Sequence, residues 1–372
     1  MRKFFLFISI SAVAILSLQN CKPEPHIAPP HTDADSLYAG TPYSFTSLNP
    51  PLFRFPPITN SYKDSLTLEG IELGRRLFYD KHLSSTGQLA CASCHKQEFA
   101  FSDAGNAKST NVTGPTRRNA PSIENLLWTS KLFWDGRAAT LGAQAKDAFH
   151  GEQNMDIPNS ITYLKSDSTY ARLFRKAFGR PGDVTEDKIY LAVQQFMMTL
   201  ISSNSHFDKV QRQQEQFTAS EANGFQLFND PSRGDCTHCH SFGNTFLYTN
   251  NLFSNNGIDS VATIYDYVDK GRGDISGNTN ENGRFKNPSL RNIALTGPYM
   301  HDGRYQTLDQ VLNYYSDSIH NSGTVDPLMF VILDHADGKR HFTQQEHDDL
   351  MSFLNSLTDT TFTHDPAFSS PF

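Results

Sequence analysis

Four of the five cysteines fall into two copies of one pattern, Cys91-Ala92-Ser93-Cys94-His95 and Cys236-Thr237-His238-Cys239-His240. Cys-x-x-Cys followed directly by His is the attachment signature of a c-type haem. The two thiols form thioethers to the haem vinyls, and the adjacent imidazole swings onto the iron. A redox Cys-x-x-Cys has no use for that His, and a zinc site wants four converging ligands. Two disulfides are the ordinary reading of four cysteines in an exported chain, but the repeated spacing with its trailing His argues against them. The sequence therefore predicts two covalently bound haem c groups, with His95 and His240 as proximal ligands.

The compartment follows from the start of the chain. Arg2 and Lys3 precede an almost unbroken apolar run from Phe4 to Leu18, the n-region and h-region of an export signal over 1–20. The run is short for a membrane span. Cys21 follows at once, which resembles a lipoprotein acceptor and predicts a lipid anchor at Cys21. The preceding Leu18-Gln19-Asn20 departs from the usual small residue, so a plain cleaved signal stays open. Both readings place the mature protein in the periplasm. Net charge is −7 with both signs interspersed, which sets nucleic acid aside as a partner. The 28 phenylalanines suit either an ordinary core or the lining of a large flat cofactor.

The elements that must hold these motifs are helical. Residues 21–60 read as a Pro-rich tether. Thr67 opens an amphipathic helix, 68–78, leading toward the first haem motif. Thr185 is an N-cap for a helix with Ile189, Ala192, Val193, Phe196 and Leu200 on one face. Thr218 and Glu221 form a capping box before the second motif, and Thr343 with Glu346 opens a last helix with Leu350, Phe353, Leu354 and Leu357 inward. No stretch sustains strand alternation, and long loops rich in Gly and Asn run over 101–122 and 241–288. The fold class expected is mainly α: two cytochrome c-like helical haem domains with long loops, 61–205 and 206–372. A 372-residue chain is long enough for both.

Further motifs narrow the family. They are Arg118-Asn119-Ala120-Pro121, Phe133-Trp134-Asp135-Gly136-Arg137-Ala138, Asn287-Pro288-Ser289-Leu290-Arg291-Asn292 and Thr296-Gly297-Pro298-Tyr299-Met300-His301-Asp302-Gly303. In this order around two haem motifs, from about 66 to 358, they closely resemble the bacterial di-haem cytochrome c peroxidase family, including its MauG branch. The resemblance implies that Trp134 relays electrons between the haems, a buried structural Trp being the alternative. It implies a calcium ion held by Asn119 and the carbonyls of Thr296 and Pro298; neutral oxygens suit that ion. It also leaves room for a homodimer.

Three departures from the family pattern bear on chemistry. A Glu that moves the peroxide proton would stand just before Met155, but Asn154 is there; Asn can orient peroxide and cannot return a proton. Glu152 and His150 are the candidate substitutes, and Gln144 of the distal pocket is retained. Residues 96–121 hold no His, so the distal His of classical members is missing and the first haem is expected to be five-coordinate. At the second haem the family places Met, or Tyr in the MauG branch, about fourteen residues beyond His301. Thr307 and Gln310 cap a helix there, and Leu308, Val311, Leu312 and Tyr315 share its inner face while Tyr314 turns away. Tyr315 is the expected sixth ligand, with Met300, Met329 or simple packing of Tyr315 as alternatives.

The function expected is a peroxidase that reduces hydrogen peroxide with electrons from a small cytochrome c or cupredoxin. The alternatives are MauG-like oxidation of residues in a protein substrate and, from another class, a non-catalytic di-haem electron carrier. A haem-based sensor would need an output domain, and none is visible.

Overall fold

The computed structural model describes residues 40–45, 48, 52–58, 66–179, 182–240, 247–330 and 337–372. The expected export signal, Cys21 and residues 22–39 of the expected tether lie outside them. The later part of that segment is no free tether. Tyr43 pairs its backbone with Leu66, and Phe55 packs on Trp128, whose indole donates to the Pro56 carbonyl at 2.9 Å.

Among the described residues nine longer helices stand out: α1 Leu68–Tyr79, α2 Leu141–His150, α3 Ile157–Ser166, α4 Ser168–Phe178, α5 Glu186–Thr199, α6 His206–Gln211, α7 Ala219–Asn229, α8 Leu308–Asp317 and α9 Gln344–Ser356. The caps expected at Thr67, Thr185, Thr218, Thr307 and Thr343 all accept the backbone N–H that closes the first turn. Strand among the described residues is confined to two antiparallel pairs, β1 Thr110–Asn111 with β2 Gly114–Pro115 and β3 Phe253–Ser254 with β4 Phe285–Lys286. The mainly helical fold class holds.

Two hydrophobic cores form. One draws on residues 66–200, the other on 207–357. They repeat one device. Gly74-x-x-Leu77-Phe78-x-Asp80 in α1 and Gly224-x-x-Leu227-Phe228-x-Asp230 in α7 each precede a haem motif. A Cβ on Gly74 would collide with the Ala192 carbonyl of α5, and one on Gly224 with the Asp349 carbonyl of α9. Glycine gives up helix propensity here so that two helix backbones can touch, fixing where each haem motif emerges.

The tail packs away from the second core. Beyond Asp359 the chain returns to the first core: Phe362 is buried there, and Phe368 packs against it. Arg75 Nε donates to the Ser369 carbonyl at 2.6 Å, Tyr79 to Phe368 at 2.7 Å and Gln97 to Asp365 at 2.8 Å. The two halves are thereby clasped. A buried bidentate pair, Arg291 with Asp208 at 2.7 and 2.9 Å, anchors the Pro288–Asn292 loop to α6.

Candidate active site

The first haem motif begins with one helical turn, Cys91–Cys94. His95 Nδ1 lies 2.8 Å from the Phe101 carbonyl. A carbonyl only accepts, so the proton sits on Nδ1 and Nε2 is left to bind a metal. Cys91, Cys94 and His95 line a cavity of ≈ 430 Å³ with Phe78, Phe149, Val193 and Met197 among its apolar walls. The second motif is built alike. His240 Nδ1 meets the Pro288 carbonyl at 3.1 Å, and Cys236, Cys239 and His240 line a cavity of ≈ 330 Å³ with Phe228, Leu308, Leu312 and Leu354.

Burial sets the protonation states. It pushes the Cys91 and Cys236 thiols up to about 12, holds His95 below its ordinary value and takes His240 down to about 4. Neutral imidazole is the form that metal ligation uses. The four cysteines are unpaired, and among the described residues no three His, Cys, Asp or Glu side chains converge as a metal cluster. The arrangement fits haem c better than zinc or disulfides.

Trp134 and His95 line both cavities, so the imidazole and the indole form part of the partition between them. Trp134 Nε1 donates to the Asn119 carbonyl at 2.9 Å. Asn119, Thr296 and Pro298 all face the second cavity; Asn119 Nδ2 donates to the Asn106 carbonyl at 3.3 Å. Arg118 forks onto Asp269 at 2.7 Å through two nitrogens and reaches Asp135 at 2.5 Å. These contacts tie the Arg-Asn-Ala-Pro and Trp-Asp-Gly-Arg motifs to the second half of the chain.

Gln144, which also lines both cavities, sits on α2, where Thr140 caps the helix. Its Oε1 is buried without a hydrogen-bond partner. Glu152 lines the cavity rim, is otherwise exposed, and accepts from Asn111 at 3.1 Å. Asn154 is not brought in. Its backbone is left-handed at φ +45°, which turns the exposed side chain onto Ser85 Oγ at 3.2 Å, outside the residues lining the cavity. His150 is engaged by Glu186 at 2.8 Å and Tyr190 at 3.2 Å, also outside. Between them lies Gln153, which the sequence did not single out: it is buried, lines the cavity and binds the Leu89 carbonyl at 3.2 Å. Among the described lining residues His95 is the one histidine.

At the second cavity Tyr315 faces inward as its helical spacing predicts. Tyr314 does not turn to solvent, however. It is 3% exposed and donates to the Asn256 carbonyl at 2.8 Å, because α8 is covered on that side too by the 253–258 loop. Lys286 and Arg340 also line this cavity, and among the described residues neither is paired with a carboxylate. Burial alone lowers Lys286 to about 8. Glu124, buried on the same wall, is raised to about 8 by burial despite an Asn292 Nδ2 donor and nearby Arg291. No periodicity or motif in the sequence marks Asn256, Arg340 or Glu124.

Comparison with known proteins gives one answer. Residues 68–216 match the family described as di-haem cytochrome c peroxidase. The chain is 33% identical over 299 residues to the methylamine utilization protein MauG of Methylophilus methylotrophus, covering 78% of this chain and 83% of that one. It is 30% identical to the cytochrome c551 peroxidase of Nitrosomonas europaea, over 77% of this chain and 79% of the relative. Among solved structures, a MauG-like protein associated with microbial copper homeostasis superposes with a TM-score of 0.75 at 33% identity, covering 86% of this chain and 97% of that one.

Proposed function

Because this chain belongs to the bacterial di-haem cytochrome c peroxidase family, we propose that it reduces hydrogen peroxide beside His95 with electrons that enter beside His240. The protein is an oxidoreductase with two c-type haems. The observation that carries the residue assignment is the shared wall: His95 and Trp134 line both cavities, each of which has its own Cys-x-x-Cys-His.

The haems supply the redox chemistry when bound. The chain supplies the rest. His95 and His240 present Nε2 while the Phe101 and Pro288 carbonyls fix their tautomer. Gln144, on the wall of the first cavity, orients the peroxide by hydrogen bonding through its side-chain amide. Glu152 at the rim takes a proton from one peroxide oxygen and returns it to the other; Asn154, turned to Ser85, takes no part. Trp134 relays electrons across the partition. Lys286 and Arg340, which line the second cavity, would hold haem carboxylates, and Tyr315 would bind the iron there. Asn119 with the Thr296 and Pro298 carbonyls is the calcium site; the Asn119 amide nitrogen is spent on Asn106, so its oxygen is the coordinating end.

The donor is a small redox protein, cytochrome c or cupredoxin. A MauG-like protein substrate is the second reading, favoured by Tyr315 on the second cavity and by the absence of a second histidine among the described residues lining the first. We place the mature chain in the periplasm, with Cys21 as a lipid anchor. Stepwise reduction of the holoprotein, then peroxide with and without a reduced cytochrome, tests the function. Donor-dependent peroxide loss is expected; no peroxide reaction at either iron overturns it. Modification of a partner protein without prior reduction selects the second reading.

A further inference from the structure

Asn256 lies just beyond β3, with its backbone held from two sides. Its carbonyl accepts the Tyr314 hydroxyl at 2.8 Å, and the Gly257 amide donates to Asn255 Oδ1 at 2.9 Å. Its side-chain nitrogen lies 3.1 Å from Tyr315 Oη and 3.4 Å from Met300 Sδ. An amide NH₂ has two hydrogens, one for each acceptor. Asn256, Met300 and Tyr315 all line the second cavity together with Cys236, Cys239 and His240. Two side chains able to bind iron are therefore gathered on one amide, from positions fifteen residues apart on separate elements.

Their chemistry is opposite. A phenol oxygen is a hard donor and favours ferric iron; a thioether is soft, favours ferrous iron and raises a haem's potential. We propose that Tyr315 and Met300 are alternative sixth ligands of the second haem iron, Tyr315 in the ferric state and Met300 in the ferrous, with Asn256 positioning both. The inference rests on haem attachment at Cys236 and Cys239. In the exchange one electron passes from the external reductant, a reduced small redox protein or dithionite, to the iron. The Tyr315–iron bond breaks and its oxygen takes a proton from water, while a sulfur lone pair of Met300 forms the new bond. Oxidation reverses each step, and neither side chain changes oxidation state.

The holoprotein carries its own test. Intact mass first establishes two haems per chain; a missing haem at Cys236 and Cys239 fails the premise rather than the exchange. Magnetic circular dichroism of the wild type should then show oxygen ligation in the ferric second haem and thioether ligation in the ferrous. Ferrous Met300→Leu should bind one more equivalent of carbon monoxide than the wild type. Tyr315→Phe should bind no more than the wild type and show the far-red band of a thioether-ligated ferric haem. Met300→Leu/Tyr315→Phe should take up an exchangeable ligand in both states. Asn256→Leu should weaken both ligand signatures with two haems retained. An unchanged ligand on reduction of the wild type, or no extra carbon monoxide in Met300→Leu, overturns the exchange.

Discussion

The indole N–H of Trp134 is bonded to the Asn119 carbonyl at 2.9 Å, and the Asn119 backbone N–H to the His301 carbonyl at 2.8 Å. The Trp134 indole is thus held by the backbone of Asn119, a residue that lines both cavities. His301 itself stacks flat on Phe285, ring centroids 3.7 Å apart. One short chain of contacts spans the partition between the cavities, so disturbing the Asn119 end should reach the indole.

Trp134→Phe should lower donor-dependent peroxide turnover while leaving reaction of the reduced first haem with a single peroxide intact. It also leaves the Asn119 carbonyl without its donor, a stability loss of about 1 kcal/mol. Stopped-flow spectra of the two haems check the first effect; turnover equal to wild type removes Trp134 from the path.

Glu152 and Asn154 make opposite forecasts although two residues apart. Glu152→Gln should cut peroxide turnover by about 100-fold, the scale of a lost proton-transfer group. Asn154→Ala should change it little, since that side chain lies on Ser85. Equal losses in both variants would mean that the loop rearranges around bound peroxide.

Asp208→Asn should destabilise the protein by about 3 kcal/mol or more, because it removes the bidentate carboxylate from Arg291, whose side chain has no exposure. Denaturant midpoints measured on the holoprotein check this. A loss below about 1 kcal/mol would show that the pair is replaceable.

Glu124 gives a pH dependence whose sign is set by burial, which raises it from 4.5 to about 8. Asp208 and Asp359 push it the same way, while Arg291 and the Asn292 amide oppose. A carboxyl raised on folding contributes stability that is fully present below its unfolded value and lost as pH rises through its folded one. Glu124→Gln should therefore flatten the fall in stability between about pH 5 and 8. Parallel curves for wild type and variant would contradict the assignment.

Gly74→Ala should cost about 1–3 kcal/mol despite the better helix former, because the methyl meets the Ala192 carbonyl. Thermal unfolding reads it directly. Gly87→Ala is the contrast: nothing lies within 4 Å of its added carbon, and any cost there comes from its backbone at φ +67°.

What the sequence by itself determined is what is local along the chain. Attachment of two haems is written in two five-residue words, and five of the helix starts are each written in a threonine and the residue three places on, because both are contacts within a turn. Family membership was legible for the same reason, through short motifs in a set order. The tertiary structure alone decided which neighbours face a cavity. Glu152, Gln153 and Asn154 differ by one residue each, and a left-handed turn at Asn154 sends one out while its neighbours line the wall. Tyr314 looked outward until the 253–258 loop covered it. The tail after Asp359 belongs to the first core although it follows the second in sequence. Asn256 acquires its meaning only when Met300 and Tyr315, 44 and 59 residues away, arrive at the same amide, since contacts across long loops depend on how the chain packs rather than on spacing.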